Sequence, residues 1–153
     1  CKHLANHFNT TFVKEYAVDY LTGTGGDYQY KDLLKIAKGQ IKLENQIIEM
    51  TNPDILICDT DLITIKIWSQ VKYKKVSRWI MKEIRNRHYN HYLLCFPDIP
   101  WEYDLFRENP NDRDFLFELY EKQLKRYKKD YTIINGNEES RFLTAVDVIN
   151  SVI

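Results

Sequence analysis

Glycine is scarce in this chain of 153 residues: there are five, three of them in the run Thr22-Gly23-Thr24-Gly25-Gly26-Asp27. None stands in a Gly-x-x-x-x-Gly-Lys-Ser/Thr pattern, whose backbone amides cradle phosphates and whose lysine neutralises them. The run has neither the lysine nor a strand leading directly into it, so it reads as a flexible turn. Proline is rare too, at four residues, and an apolar content of 44% argues for a globular protein with a core. Net charge is absent, since 22 basic residues balance 22 acidic ones. That removes the long-range field that would draw the protein to nucleic acid or acidic membranes. Lys72, Lys74, Lys75 and Arg78 form a local basic patch, which reads as a solvated helix end before it reads as a binding surface. No apolar run approaches the length of a bilayer span, and no signal peptide is visible.

The three cysteines, Cys1, Cys58 and Cys95, are odd in number and far apart. Without a Cys-x-x-Cys pair they fit a reducing compartment, and a cytoplasmic location is expected. Cys58 and Cys95 fall in expected buried strands, where cysteine behaves as a small hydrophobe. His88 and His91 lack a third ligand at useful spacing, so they do not make a zinc site. No serine or cysteine lies in an elbow beside a histidine, so nucleophilic catalysis has no support.

What the chain does have is an alternation of strands and helices, the pattern of an α/β domain with a largely parallel sheet. Helix Cys1–Phe8 leads through Asn9 into strand Thr10–Val13. A long helix over Lys31–Met50 carries the stripe Leu33, Ile36, Ala37, Ile41, Glu44 and Ile48. Strand Ile55–Cys58 follows, then helices Leu62–Tyr73 and Ser77–Arg87, the latter with Ser77 as N-cap. Strand Tyr92–Phe96 stops at Pro97, and a polar loop covers Asp98–Asn109. Asn109-Pro110 signals the start of a helix. Its inner face would carry Phe115, Leu116, Leu119, Tyr120 and Leu124. Strand Tyr131–Ile134 ends at Asn135-Gly136, and a last helix from Glu138 would bury Phe142, Ala145, Val146, Ile149 and Val152. Without repeats or a linker, residues 1–153 read as one domain.

The richest segment is Asp54-Ile-Leu-Ile-Cys-Asp59-Thr60-Asp61. Four apolar residues, Ile55 to Cys58, suit a strand buried on both faces, and such a strand delivers Asp59 and Asp61 to its carboxyl end. Open α/β sheets bind ligands there. A carboxylate in this place serves the magnesium side of nucleotide phosphotransferases. A strand running into a solvated acidic loop would look much the same. If strand geometry persists through Asp61, the i, i+2 spacing turns both carboxylates to one side.

Several segments taken together resemble the NadR-type ribosylnicotinamide kinase domain, an AAA or P-loop ATPase-like domain. They are Phe12-Val13-Lys14-Glu15-Tyr16-Ala17, Ile36-Ala37-Lys38-Gly39-Gln40, Cys58-Asp59-Thr60-Asp61-Leu62-Ile63-Thr64, Asp98-Ile99-Pro100-Trp101-Glu102-Tyr103-Asp104 with Arg107, and Ile133-Ile134-Asn135-Gly136. The likeness spans nearly the whole chain in order. Val18 departs from it, standing where the family has arginine. The chain begins at Cys1, without methionine, in a segment matching the helix after the family's phosphate loop. Its first strand and that loop are therefore expected upstream.

The resemblance implies a P-loop kinase-like three-layer α/β/α fold with a mainly parallel sheet, lacking its first, central strand. It implies a phosphotransferase when complete, with ATP and magnesium as cofactors. The γ-phosphoryl of ATP would pass to nicotinamide riboside, giving nicotinamide mononucleotide for NAD biosynthesis. Asp59 would hold magnesium through water and Asp61 would orient or deprotonate the hydroxyl, or the two would exchange these roles, and Arg107 would contact the transferring phosphate. Glu15 and Tyr16 would meet the cationic pyridinium by charge and cation–π attraction, with Trp101 and Asp104 closing over the substrate. Each has a plainer alternative: Tyr16 as edge packing, Arg107 as surface charge, Trp101 and Asp104 as packing that pins their loop. Without a phosphate loop, inactivity is expected. A non-catalytic nucleotide-binding or interaction module, and a P-loop kinase for another nucleoside, remain the rival readings. The sequence leaves the oligomeric state open.

Overall fold

The computed structural model describes residues 1–100 and 112–153. They fall into two compact units, Cys1–Asn86 and Arg87–Ile153.

The first unit contains α1 (Lys2–His7), β1 (Phe12–Val13), α2 (Tyr16–Gly23), α3 (Tyr30–Thr51), β2 (Ile57–Cys58), α4 (Leu62–Tyr73) and α5 (Arg78–Asn86). β1 and β2 run parallel, with Phe12 opposite Ile57 and Val13 opposite Cys58. Both strands are shorter than their apolar runs suggest. At the entry end the Thr10 hydroxyl donates to the Ile55 carbonyl (2.6 Å), a side-chain bond where a ladder bond would otherwise form. Ile55 to Cys58 are each only half-buried, not covered on both faces, because β2 has one hydrogen-bonded neighbour among the described residues.

α3 begins at a reciprocal cap, in which the Gln29 N–H donates to Asp32 Oδ2 (2.9 Å) and the Asp32 N–H to the Gln29 carbonyl (2.8 Å). It ends at Asn52 in the left-handed conformation, φ 40°. Its apolar stripe holds from Leu33 through Ile36 and Ala37 to Glu44, but Ile41 is half-buried and Ile48 surfaces at 44% exposure. Length explains this: 22 residues of helix reach roughly 33 Å, against about 18 Å for the 12 residues of α4 packed on it. α4 buries Leu62, Ile63, Ile65 and Ile67, and α5 buries Ile80 and Ile84. Ser77 is the expected N-cap of α5, its Oγ accepting from the Trp79 N–H (3.3 Å).

The second unit contains β3 (Tyr92–Cys95), α6 (Arg113–Arg126), β4 (Tyr131–Ile134) and α7 (Glu138–Val152). β3 and β4 are parallel in the register Tyr92 to Tyr131 through Cys95 to Ile134. Leu94, Leu124, Ile134, Ala145 and Val146 make the core. Cys95 is exposed, contrary to the expectation of a buried small hydrophobe; alternation along β3 gives the inward place to Leu94. Phe115 is exposed as well, at 52%. The buried stripe of α6 runs through Gln123 and Leu124 and leaves Phe115 off its edge, while Phe117 meets Phe96 edge-on at 5.0 Å. α7 starts where expected, capped by Asn137 Oδ1 accepting from the Ser140 N–H (2.9 Å), but Phe142 and Ile149 are half-buried and Val152 exposed. The helix start expected at Asn109-Pro110 lies outside the described residues.

Both strand pairs are parallel, and each returns through helical crossovers, which is α/β architecture. Among the described residues no helix is long and apolar enough to cross a membrane.

Candidate functional site

The carboxyl end of the β1–β2 pair gathers four of the residues singled out from sequence. The Asp59 N–H donates to the Val13 carbonyl (2.8 Å), extending the ladder one step past Cys58. Asp59 therefore leaves β2 at the edge where Lys14 and Glu15 leave β1, and its side chain starts from a hydrogen-bonded, half-buried backbone.

Strand geometry does not persist to Asp61. Thr60 adopts φ 66°, a conformation that a β-branched residue occupies only under strain. The alternation argument for Asp59 and Asp61 is thereby overturned. The chain turns at Thr60 straight into α4, and Asp61 becomes its N-cap. Its Oδ1 accepts from the N–H groups of Ile63 (2.9 Å) and Thr64 (3.3 Å). Two orphan donors of the first turn are satisfied, and the carboxylate lies at the positive end of the helix dipole. An Asp directly before an apolar helix is the sequence signal of such a cap.

Glu15 is the half-buried N-cap residue of α2, with extended φ −65° and ψ 111°. Tyr16 opens that helix. Its N–H donates to Gln40 Oε1 (2.8 Å), and its ring lies so close to α3 that a Cβ on Gly39 would collide with the ring carbons. The Tyr16 and Tyr20 rings sit 6.5 Å apart. The segment Ile36-Ala37-Lys38-Gly39-Gln40 thus has a local reason: Gly39 makes room for Tyr16, and Gln40 holds the chain beside it. Gln40 and Glu44 are both 1% exposed, Glu44 on the expected inward stripe of α3 and Gln40 at the end of a segment that carries the resemblance.

Close by, Asp32 accepts from Tyr20 Oη (2.9 Å) and Lys35 Nζ (2.8 Å). The Lys35 ammonium first, then the Gln29 N–H, holds its carboxyl down to about 2.

In the second unit, the segment after β3 is held by two arginines. Arg113 donates to the carbonyls of Pro97 (2.7 Å) and Ile99 (2.6 Å). Arg141 donates to the carbonyls of Phe96 (2.6 Å) and Gly136 (2.8 Å), and pairs with the Asp98 carboxylate. Asp98 also accepts from the Gly136 N–H (2.7 Å). That amide, then the Arg141 guanidinium, pulls its pKa below the usual carboxylate range. His91 Nε2 meets Thr132 Oγ1 at 2.9 Å across the strand pair. Trp101, Asp104 and Arg107 lie outside the described residues.

Magnesium in nucleotide sites is held by one or two carboxylates together with substrate phosphates and water. A single Asp59 at a strand end fits that donor set. Among the described residues no three of His, Cys, Asp or Glu come together as a metal cage.

Parallel strand pairs with helical crossovers define an α/β domain, and residues 1–141 match the model of an AAA domain, so the chain belongs to that family. It is similar to the trifunctional NAD biosynthesis/regulator protein NadR of Escherichia coli K12, at 26% identity over 97% of this chain and 38% of that protein. The NadR of Salmonella typhimurium LT2 gives the same identity and the same coverage. The chain therefore spans about 38% of the length of the curated relatives it matches. Its fold is that of a crystal structure of NadR protein in complex with NR, with a TM-score of 0.87 and 20% identity over 99% of this chain and 46% of that one. The likeness to the NadR-type domain inferred from motifs, and the P-loop kinase-like α/β fold it implies, are both borne out.

Proposed function

We propose that this domain is the acceptor-binding part of an ATP-dependent kinase for nicotinamide riboside, working in NAD biosynthesis. The observation that carries the proposal is the shared carboxyl edge of β1 and β2. Asp59 leaves one strand there and Glu15 the other, in the first unit, on a fold shared with a NadR crystallised with NR.

In this account Glu15 faces the positive charge of the pyridinium, and the half-buried Tyr16 offers ring edge or face beside it. Asp59 is the carboxylate on the magnesium side. Bound magnesium would neutralise phosphate charge between nucleotide and protein. Asp61 caps α4 through Oδ1, and that bond fixes the carboxylate which orients the acceptor 5′-hydroxyl. As the 5′-oxygen bonds to the γ-phosphorus, its proton passes to the Asp61 carboxylate and on to solvent, while the bond from the γ-phosphorus to the bridging oxygen breaks and its electron pair leaves with ADP. The resemblance to the NadR-type domain assigns Arg107 to the transferring phosphoryl and Trp101 and Asp104 to the nucleoside or adenine side. ATP needs a phosphate loop, and the 153 residues contain none, so by themselves they bind ATP weakly and do not turn over.

The capping of α4 by Asp61 favours a second reading, a nucleotide-binding module in which the acidic edge is purely structural. The deciding experiment joins a phosphate loop and its strand ahead of residue 1 and measures ATP-dependent phosphorylation of nicotinamide riboside beside other nucleosides. Preferential formation of nicotinamide mononucleotide is expected. Turnover of another nucleoside alone, or of none, overturns the proposal.

A further inference from the structure

Gln40 is almost completely buried, and its amide is used beyond its own helix. From α3 its carboxamide reaches the bend between β1 and α2 and touches both sides of Glu15. Oε1 accepts from the Tyr16 N–H at 2.8 Å, and Nε2 lies 3.5 Å from the Lys14 carbonyl. Only a carboxamide is a neutral side chain that combines a strong acceptor with a donor pair in one planar group. Nε2 also lies 3.5 Å from Glu44 Oε1, one turn further along α3. That carboxylate attracts the NH2 side of the amide, which keeps the oxygen turned toward Tyr16. Gly39, beside it, receives the Tyr16 ring against the helix. Residues 14 and 16 are thus both fixed to α3, and Glu15 is the residue between them.

We propose that Gln40 is a positioning residue, setting Glu15 at the carboxyl edge of β1 so that its carboxylate meets the cationic nucleoside. The inference rests on the proposed role of Glu15 in binding nicotinamide riboside. Gln40 touches no substrate; it acts through the peptide on either side of Glu15. A buried glutamine that served the fold alone would satisfy the same hydrogen bonds, but its loss would weaken binding independently of Glu15. Coupling between the two residues separates these cases.

The experiment is calorimetric titration of nicotinamide riboside into the parent chain, Glu15→Gln, Gln40→Met and the double variant. Methionine keeps the length of glutamine and removes both hydrogen bonds. Each single change is expected to weaken binding about tenfold, and the double variant no more than Glu15→Gln alone. Additive losses, or unchanged affinity in Gln40→Met, overturn the inference while leaving the nucleoside reading in place. No binding by the parent chain overturns the nucleoside reading and the inference with it. If circular dichroism shows that Gln40→Met does not fold, Gln40→Leu replaces it. That variant also removes both hydrogen bonds and brings no charge to Glu44, and the same coupling is expected.

Discussion

Asp61 separates two roles that one residue could combine, and two substitutions divide them. In the structure Oδ1 accepts from the backbone N–H groups of Ile63 and Thr64 at 2.9 and 3.3 Å. Asp61→Ala removes both bonds and leaves two N–H groups of the first turn of α4 without their cap. An N-cap of this kind contributes about 1 kcal/mol, within a range of roughly 0.5 to 2. Burial makes the upper half of that range relevant, because Leu62 and Ile63 beside the cap are 1% exposed and water cannot readily replace the lost acceptor. Asp61→Asn keeps a side-chain oxygen in place, and asparagine caps helices about as well as aspartate. Its stability should stay within about 0.5 kcal/mol of the parent. The assay is urea denaturation followed by far-ultraviolet circular dichroism. With slopes of about 1 to 3 kcal/mol per molar, Asp61→Ala should lower the midpoint by several tenths of a molar and Asp61→Asn should barely move it. Equal losses in the two variants, or none in Asp61→Ala, would refute the capping account. Once the cap is shown to survive in Asp61→Asn, any loss of turnover from that substitution in a chain supplied with a phosphate loop reports chemistry alone.

Further outcomes follow from the same geometry. Thr60→Gly should stabilise the protein by about 1 kcal/mol, since glycine adopts φ 66° without the β-branched clash; a destabilised variant in urea titration would show that Thr60 carries no strain. Gly39→Ala sets two effects against each other, a helix-propensity gain of about 1 kcal/mol and a collision with the Tyr16 ring that costs about 1 to 3. Net destabilisation is expected, and a raised melting temperature would contradict the packing described. Asp32 titrates near 2 in the folded chain against an ordinary 3.8. Its depressed pKa makes a contribution that is full above about 3.8 and is lost as pH falls toward 2. The acid limb of a stability–pH profile should therefore flatten in Asp32→Asn, and an unchanged limb would remove Asp32 from the account.

Much of the fold was legible because its signals are local. Leu62–Tyr73 and Tyr131–Ile134 have the bounds their apolar runs and flanking turns suggest, and α7 starts at Glu138 as its cap implies. The errors arise where tertiary surroundings decide. Nothing in the spacing of Cys95, Phe115 or Ile48 says that the neighbouring element stops short or lies to one side. β1 and β2 begin two residues after Thr10 and Ile55, where a threonine side chain bonds to the facing carbonyl in place of the ladder. At the candidate site, the acidic edge was visible in the order of residues, but the turn at Thr60 was not. A threonine with positive φ is too rare for any pattern to anticipate. Gln40 was equally hidden, since a glutamine within a helix carries no signal until the partner of its amide is known.

The central claim is that the edge bearing Asp59 transfers phosphate to nicotinamide riboside. Its most direct test compares Asp59 with Asp59→Asn in a chain supplied with a phosphate loop ahead of residue 1, measuring nicotinamide mononucleotide formed from ATP at saturating magnesium. The Asp59 N–H bond to Val13 belongs to the backbone and survives the substitution, so the folded spectrum and melting temperature should match the parent. Turnover should fall by at least about a hundredfold, because one of the few carboxylates available to the metal is gone. Full turnover in a folded Asp59→Asn variant would make the acidic edge structural and contradict the kinase account.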